Sequence, residues 1–132
     1  LRMPILKTNC THSYYAFPLL YDKDLTGVDR KIIYDALKAE GIPIDIDYPN
    51  LHMLPMYQRR IAYGKKGFPW NSDIYKGKVD YSKGICPVAE MLVEEKIMII
   101  SICDYEFSDK TIDMYLNGFK KIWSNLDKLK SL

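Results

Sequence analysis

The chain has 132 residues, 48% of them hydrophobic and 27% charged, an ordinary globular composition that excludes a disordered polymer. A formal net charge of +2 is too small to demand a nucleic-acid or acidic-membrane partner, and no apolar run approaches the ~20 residues that cross a bilayer. Three cysteines without paired spacing fit reduced thiols in a cytoplasmic setting rather than a disulfide framework.

The length corresponds to a single domain over residues 1–132, large enough to bury roughly two-thirds of its unfolded surface. Its start lacks the basic residues and apolar stretch of a signal peptide, and Leu1-Arg2-Met3-Pro4 reads as the continuation of a longer chain. Tyr14 to Tyr21 is aromatic and apolar and predicts a strand, with Pro18 marking an edge or a bulge. Asp22 to Leu25 reads as a polar turn. Thr26-Gly27-Val28-Asp29 has the pattern of a helix start, and the helix that follows carries Val28, Ile32, Ile33, Ala36 and Leu37 on one face until Gly41 stops it. Ile42, Ile44 and Ile46 alternate with Pro43, Asp45 and Asp47, which predicts a half-buried strand reaching Tyr48.

Tyr48-Pro49-Asn50-Leu51-His52-Met53-Leu54-Pro55-Met56-Tyr57 is a rigid loop, since each proline fixes its own φ and extends the residue before it. It presents an imidazole and two phenols, and a short helix over about Met56 to Tyr63 is expected next. Gly64 to Gly84 is the least regular stretch, with four glycines and five lysines. Loops of that length tend to be functional or mobile. Pro87 fits the first turn of a helix running to about Glu95, and Ile97 to Ile102 is the third strand. Ser108 caps the longest helix, whose buried face is predicted as Ile112, Tyr115, Leu116, Phe119, Ile122, Trp123, Leu126 and Leu129. The fold class is therefore α+β: a small, mainly antiparallel three-stranded sheet with helices packed on one side and a long C-terminal helix. The other face of so small a sheet calls for a partner surface.

Of the eleven tyrosines, Tyr14, Tyr15 and Tyr115 read as half-buried packing residues with wet hydroxyls. Cys10, His12, His52 and Cys86 lack the close paired spacing of a structural zinc site. A Cys-His nucleophile would need an orienting group and an oxyanion site that the sequence does not signal. Lys65-Lys66-Gly67-Phe68-Pro69-Trp70 mixes basic and aromatic residues as single-stranded nucleic-acid platforms do. The balanced charge and the lack of an RNA-binding signature favour instead an exposed loop that packs Trp70 against a neighbouring domain or subunit.

The His52 decapeptide and the later Cys86-Pro87-Val88-Ala89-Glu90 together resemble the small C-terminal domain of the DegT/DnrJ/StrS aminotransferases. His12-Ser13-Tyr14-Tyr15 is similar to that family's entry into the first small-domain strand. Leu37-Lys38-Ala39-Glu40-Gly41-Ile42 is similar to its helix-to-strand turn, and Leu116 to Ile122 to its terminal helix. Gly27-Val28-Asp29-Arg30 resembles its helix start with the arginine and aspartate out of their usual order. The resemblance implies an enzyme that uses pyridoxal phosphate to aminate keto-sugars, usually nucleotide-linked, or cyclitols. It also implies that a larger N-terminal domain holds the cofactor and supplies the Schiff-base lysine, the aspartate on the pyridine nitrogen and the phosphate cradle.

None of the lysines lies in a segment resembling the family's lysine motif. The chain is thus expected to be the small-domain part of such an enzyme, not catalytic alone. Its partner would be the large N-terminal domain or a separately encoded subunit, in a homodimeric parent, with no nucleic acid and no membrane involved. No cofactor is expected in this chain itself, and pyridoxal phosphate is expected in the assembled parent. The resemblance makes His52, Tyr57 and Tyr48 substrate-binding residues and assigns no catalytic residue, cofactor ligand or metal ligand. The loop at residues 64–84 would lie near the active-site rim. The plainer readings are that His52 only rigidifies its turn and that Tyr57 packs on its own loop. The alternative for the whole chain is a free-standing, non-catalytic α+β binding or oligomerisation module.

Overall fold

The computed structural model describes residues 1–102, 104 and 106–132. In chain order the elements are β1 (Phe17–Leu20), α1 (Lys23–Thr26), α2 (Arg30–Ala39), β2 (Ile44–Asp45), α3 (Pro55–Arg59), α4 (Pro87–Met91), β3 (Ile97–Ile100), α5 (Asp109–Trp123) and α6 (Leu126–Leu129). A 3-10 turn covers Leu51–Met53 and a π-helical turn covers Leu92–Lys96. The contacts divide these into two compact units, Leu1–Asp47 with Glu95–Leu132, and Tyr48–Glu94.

The first unit is the predicted α+β layer. Its strands run in the order β1-β3-β2, antiparallel at both junctions. Pro18 sits on an edge strand, where its missing N–H breaks no central ladder. The pairings Leu19↔Met98, Phe17↔Ile100 and Ile44↔Ile100 place those five side chains on one face. Ile33 and Leu37 of α2 and Ile122 of α5 pack with that face, and Ile33, Leu37 and Met98 are fully buried.

Local chemistry sets the element ends, and several differ from expectation. Tyr14 and Tyr15 lie outside β1: Tyr14 is left-handed, with its N–H on His12 Nδ1 at 2.7 Å, and Tyr15 is 78% exposed. Asp22 to Leu25 is no plain turn, because the Asp22 carboxylate accepts from Asp24 N–H and starts α1. Thr26 does not begin α2. It closes α1, buried, with its hydroxyl bonded to that of Tyr21, which also donates to Val28 O at 2.7 Å. Burial pushes the Tyr21 phenol above its ordinary pKa.

Asp29 caps α2 instead, accepting from Lys31 N–H at 2.9 Å. That amide, with the Lys23 ammonium, holds the Asp29 carboxyl below its usual range. At the far end Gly41 N–H reaches Lys38 O and Ile42 N–H reaches Leu37 O, the Schellman pattern, with Gly41 at φ 79°.

The C-terminal run is not one helix. It breaks at Ser124 and Asn125 before α6. Its predicted buried face is also displaced, since Ile112 and Leu116 are 44% and 50% exposed. Gly118 explains the rotation: a Cβ there would stand 3.1 Å from Ile42 Cδ1, so the helix approaches the core closest along the Tyr115, Gly118, Phe119 and Ile122 stripe.

In the second unit α4 starts at Pro87 as expected and passes into the π-helical turn. α3 ends at Arg59, short of Tyr63, because Arg60 turns left-handed. Among the described residues no helix is long and apolar enough to cross a membrane.

Candidate functional site

His52 and Glu90 meet in the second unit. His52 lies on the 3-10 turn between Pro49 and Pro55, and Glu90 lies in α4. His52 Nε2 stands 2.9 Å from Glu90 Oε1, and both residues are buried. The carboxylate also accepts Gly84 N–H on both oxygens, at 2.9 and 2.8 Å, and Cys86 N–H at 3.2 Å. Burial pushes the Glu90 carboxyl up. The amides of Gly84 and Cys86, and then His52, outweigh it and hold the group below its usual range.

An ionised carboxylate only accepts, so His52 Nε2 carries the hydrogen in this contact. His52 Nδ1 makes no hydrogen bond among the described residues. It accepts when the ring is neutral and donates when the ring is charged. Glu90 thus fixes the orientation and tautomer of an imidazole whose second nitrogen is uncommitted.

Gln58 braces the same turn. Its Nε2 donates to His52 O at 2.7 Å and to Tyr81 O at 2.5 Å. Tyr57 is half-buried in an aromatic cluster, 6.2 Å edge-on from Trp70 and 5.1 Å from Tyr81 between ring centres. Trp70 Nε1–H donates to Tyr81 Oη at 3.1 Å. The half-buried indole thus finds an acceptor and ring partners within its own unit.

Tyr48 is 44% exposed, and no hydrogen bond or ring contact joins it to His52 or Tyr57 among the described residues. Of the three residues singled out from sequence, His52 and Tyr57 are therefore tied into one braced unit and Tyr48 stands apart. Glu90 as the partner of His52, Gln58 as the brace and Tyr81 as the hub of the aromatic cluster were not apparent from sequence. A carboxylate near the start of α4, four residues after Cys86, is a signal only for capping. Cys10 and Cys86 are exposed free thiols, whereas Cys103 lies outside the described residues. Among the described residues no group of three or more His, Cys, Asp or Glu is placed to hold a metal ion.

No protein-family model matches the chain. The chain is similar to an uncharacterized protein, MJ1066, of Methanocaldococcus jannaschii, 26% identical over 76 residues. The match covers 58% of this chain and spans 20% of that protein's length.

Proposed function

We propose that the chain is the small-domain part of a pyridoxal-phosphate-dependent aminotransferase that acts on a keto-sugar, typically nucleotide-linked, or a cyclitol. The meeting of His52 and Glu90 carries this reading. Two sequence elements that share the resemblance, with these residues 38 positions apart, are locked together by a 2.9 Å contact. The relative's much greater length agrees with a chain that works as one part of a larger protein.

Pyridoxal phosphate needs a lysine activated by burial or by a neighbouring cation. No lysine among the described residues is buried, and no bond-making step is assigned to them. The cofactor would come from the large N-terminal domain or a separately encoded subunit, in a homodimeric assembly.

In this reading His52 Nδ1 offers one hydrogen bond to a substrate hydroxyl or phosphate oxygen. Tyr57 and Tyr48 supply phenols and ring faces at the substrate's edge, and Glu90 positions His52. The test is His52→Ala in the assembled enzyme, with His12→Ala as control. One charge-assisted hydrogen bond is worth roughly 1.5–3 kcal/mol, so KM for the sugar should rise about tenfold to hundredfold with the cofactor's absorbance unchanged. If His52→Ala lowers the folded fraction but the folded enzyme keeps its kcat and KM, the residue is structural and the site assignment fails.

A further inference from the structure

β2 and β3 pair antiparallel through Ile44↔Ile100 and Asp45↔Ile99, an arrangement that a short turn can connect. Here the connection is the whole second unit, Tyr48–Glu94. The chain leaves and re-enters the first unit on that unit's own contacts. At the exit, Asp45 Oδ1 accepts Ile46 N–H at 2.7 Å and Asp47 N–H at 3.0 Å, a local turn that ends β2. At the return, Arg30 Nη1–H donates to Ile97 O at 2.6 Å, and the half-buried guanidinium is attracted to both Asp47 and Glu95.

The two units are built on different chemistry. Every buried hydrophobic side chain among the described residues, from Leu19 to Ile122, lies in the first unit. The buried side chains of Tyr48–Glu94 are polar, His52 and Glu90, and its rings Tyr57, Trp70 and Tyr81 are only half-buried. Apolar burial is the dominant favourable contribution to folding, so the first unit holds the larger reserve of stability. A segment with few buried apolar contacts opens at a lower free energy than the core it is attached to.

The His52–Glu90 contact closes the second unit on itself. His52 stands four residues after that unit begins and Glu90 four residues before it ends, so the 2.9 Å contact joins its two ends. Glu90 gathers the N–H groups of Gly84 and Cys86 into the same clasp.

We propose that Tyr48–Glu94 orders and disorders as a unit of its own, closed by the His52–Glu90 clasp, while the sheet unit stays folded. Order and disorder of the clasp then switch the candidate site on and off without unfolding the sheet. A ligand that binds the closed form shifts the balance towards it by its preference for that form. Only the identity of that ligand with a sugar substrate rests on the aminotransferase reading.

The test uses the two tryptophans of the full chain, one in each unit. Trp70 lies in the aromatic cluster of the second unit and Trp123 packs on the core of the first. Trp123→Phe leaves Trp70 as the reporter and Trp70→Phe leaves Trp123, so each substitution falls in the unit that is not being read. Urea unfolding followed by fluorescence should give Trp70 a lower midpoint than Trp123. Glu90→Gln keeps the bulk and removes the charge to which His52 donates. It should raise the open population of residues 48–94 roughly tenfold to hundredfold, which lowers the Trp70 midpoint and leaves that of Trp123 unchanged. Native-state hydrogen exchange on the unaltered chain should show the amides of residues 48–94 opening together, with less protection than those of β1 and β3. Coincident midpoints, an equal Glu90→Gln shift at both tryptophans, or one level of protection throughout would overturn the proposal. None of these results touches the aminotransferase reading, which is judged on the His52 kinetics.

Discussion

Replacing Gln58 with leucine separates the brace from the residues it holds. Leucine has similar bulk but donates nothing, so the bonds to His52 O at 2.7 Å and Tyr81 O at 2.5 Å are both lost. Net hydrogen bonds contribute about 0.5–1.5 kcal/mol each, which gives roughly 1–3 kcal/mol for the pair. Gln58 is exposed, so the freed carbonyls regain water, and the lower part of that range applies, about 1–2 kcal/mol. A local opening made easier by that amount speeds amide exchange roughly fivefold to thirtyfold.

Native-state hydrogen exchange read by mass spectrometry checks the effect directly. Peptides from residues 48–94 should exchange faster by that factor, while the paired strand amides of β1 and β3 keep their protection. Gln58→Glu should be worse than leucine, because it aims a negative charge at two carbonyl oxygens. An unchanged rate over residues 48–94, or an equal acceleration in both units, would refute the brace.

Three further outcomes follow from the same contacts. Because Glu90 is held below the usual carboxylate range, the unfolded chain takes up its proton at a higher pH than the native one. The Glu90 contribution is thus intact above its ordinary value of 4.5 and fades as pH falls through and below that value. Glu90→Gln should flatten the acid side of the thermal midpoint against pH, and identical acid slopes would contradict this. Tyr21→Phe leaves Val28 O without its buried donor and should lower stability by about 1–2 kcal/mol in urea. Thr26→Val should not add fully to it, because the two hydroxyls bond each other. Gly118→Leu should destabilise by about 1–3 kcal/mol, read as a lower thermal midpoint, since even a Cβ there sits 3.1 Å from Ile42 Cδ1.

The sheet and its helices were legible because periodicity survives wherever one face is buried. Ile97 to Ile100 and the Ile33 and Leu37 stripe were readable for that reason. Element ends were harder to read, since they depend on which polar group reaches an amide first. Thr26 looked like a cap until the buried Tyr21 hydroxyl claimed it, and Asp29 took its place. Ile112 and Leu116 fit helical period as well as Tyr115 and Phe119 do. Period does not reveal that a glycine at position 118 brings one side of the helix nearer the core. At the candidate site His52 stood out for its rarity and its prolines. Its partner Glu90 is 38 positions away and engages through tertiary packing, which no local pattern encodes. The end of α3 at Arg59 was not readable either, because it is set by the left-handed backbone of Arg60.

The central claim is that these residues serve an enzyme whose pyridoxal phosphate is held elsewhere. The most direct measurement starts from the native protein, captured with an antibody to this chain, reduced with borohydride and peptide-mapped. The account predicts one stoichiometric pyridoxyl-lysine outside these 132 residues, either in the same polypeptide or in a co-purifying subunit. A pyridoxyl group on a lysine of this chain would contradict it. A native assembly with no pyridoxyl-lysine at all would contradict it equally, leaving the non-catalytic module in its place.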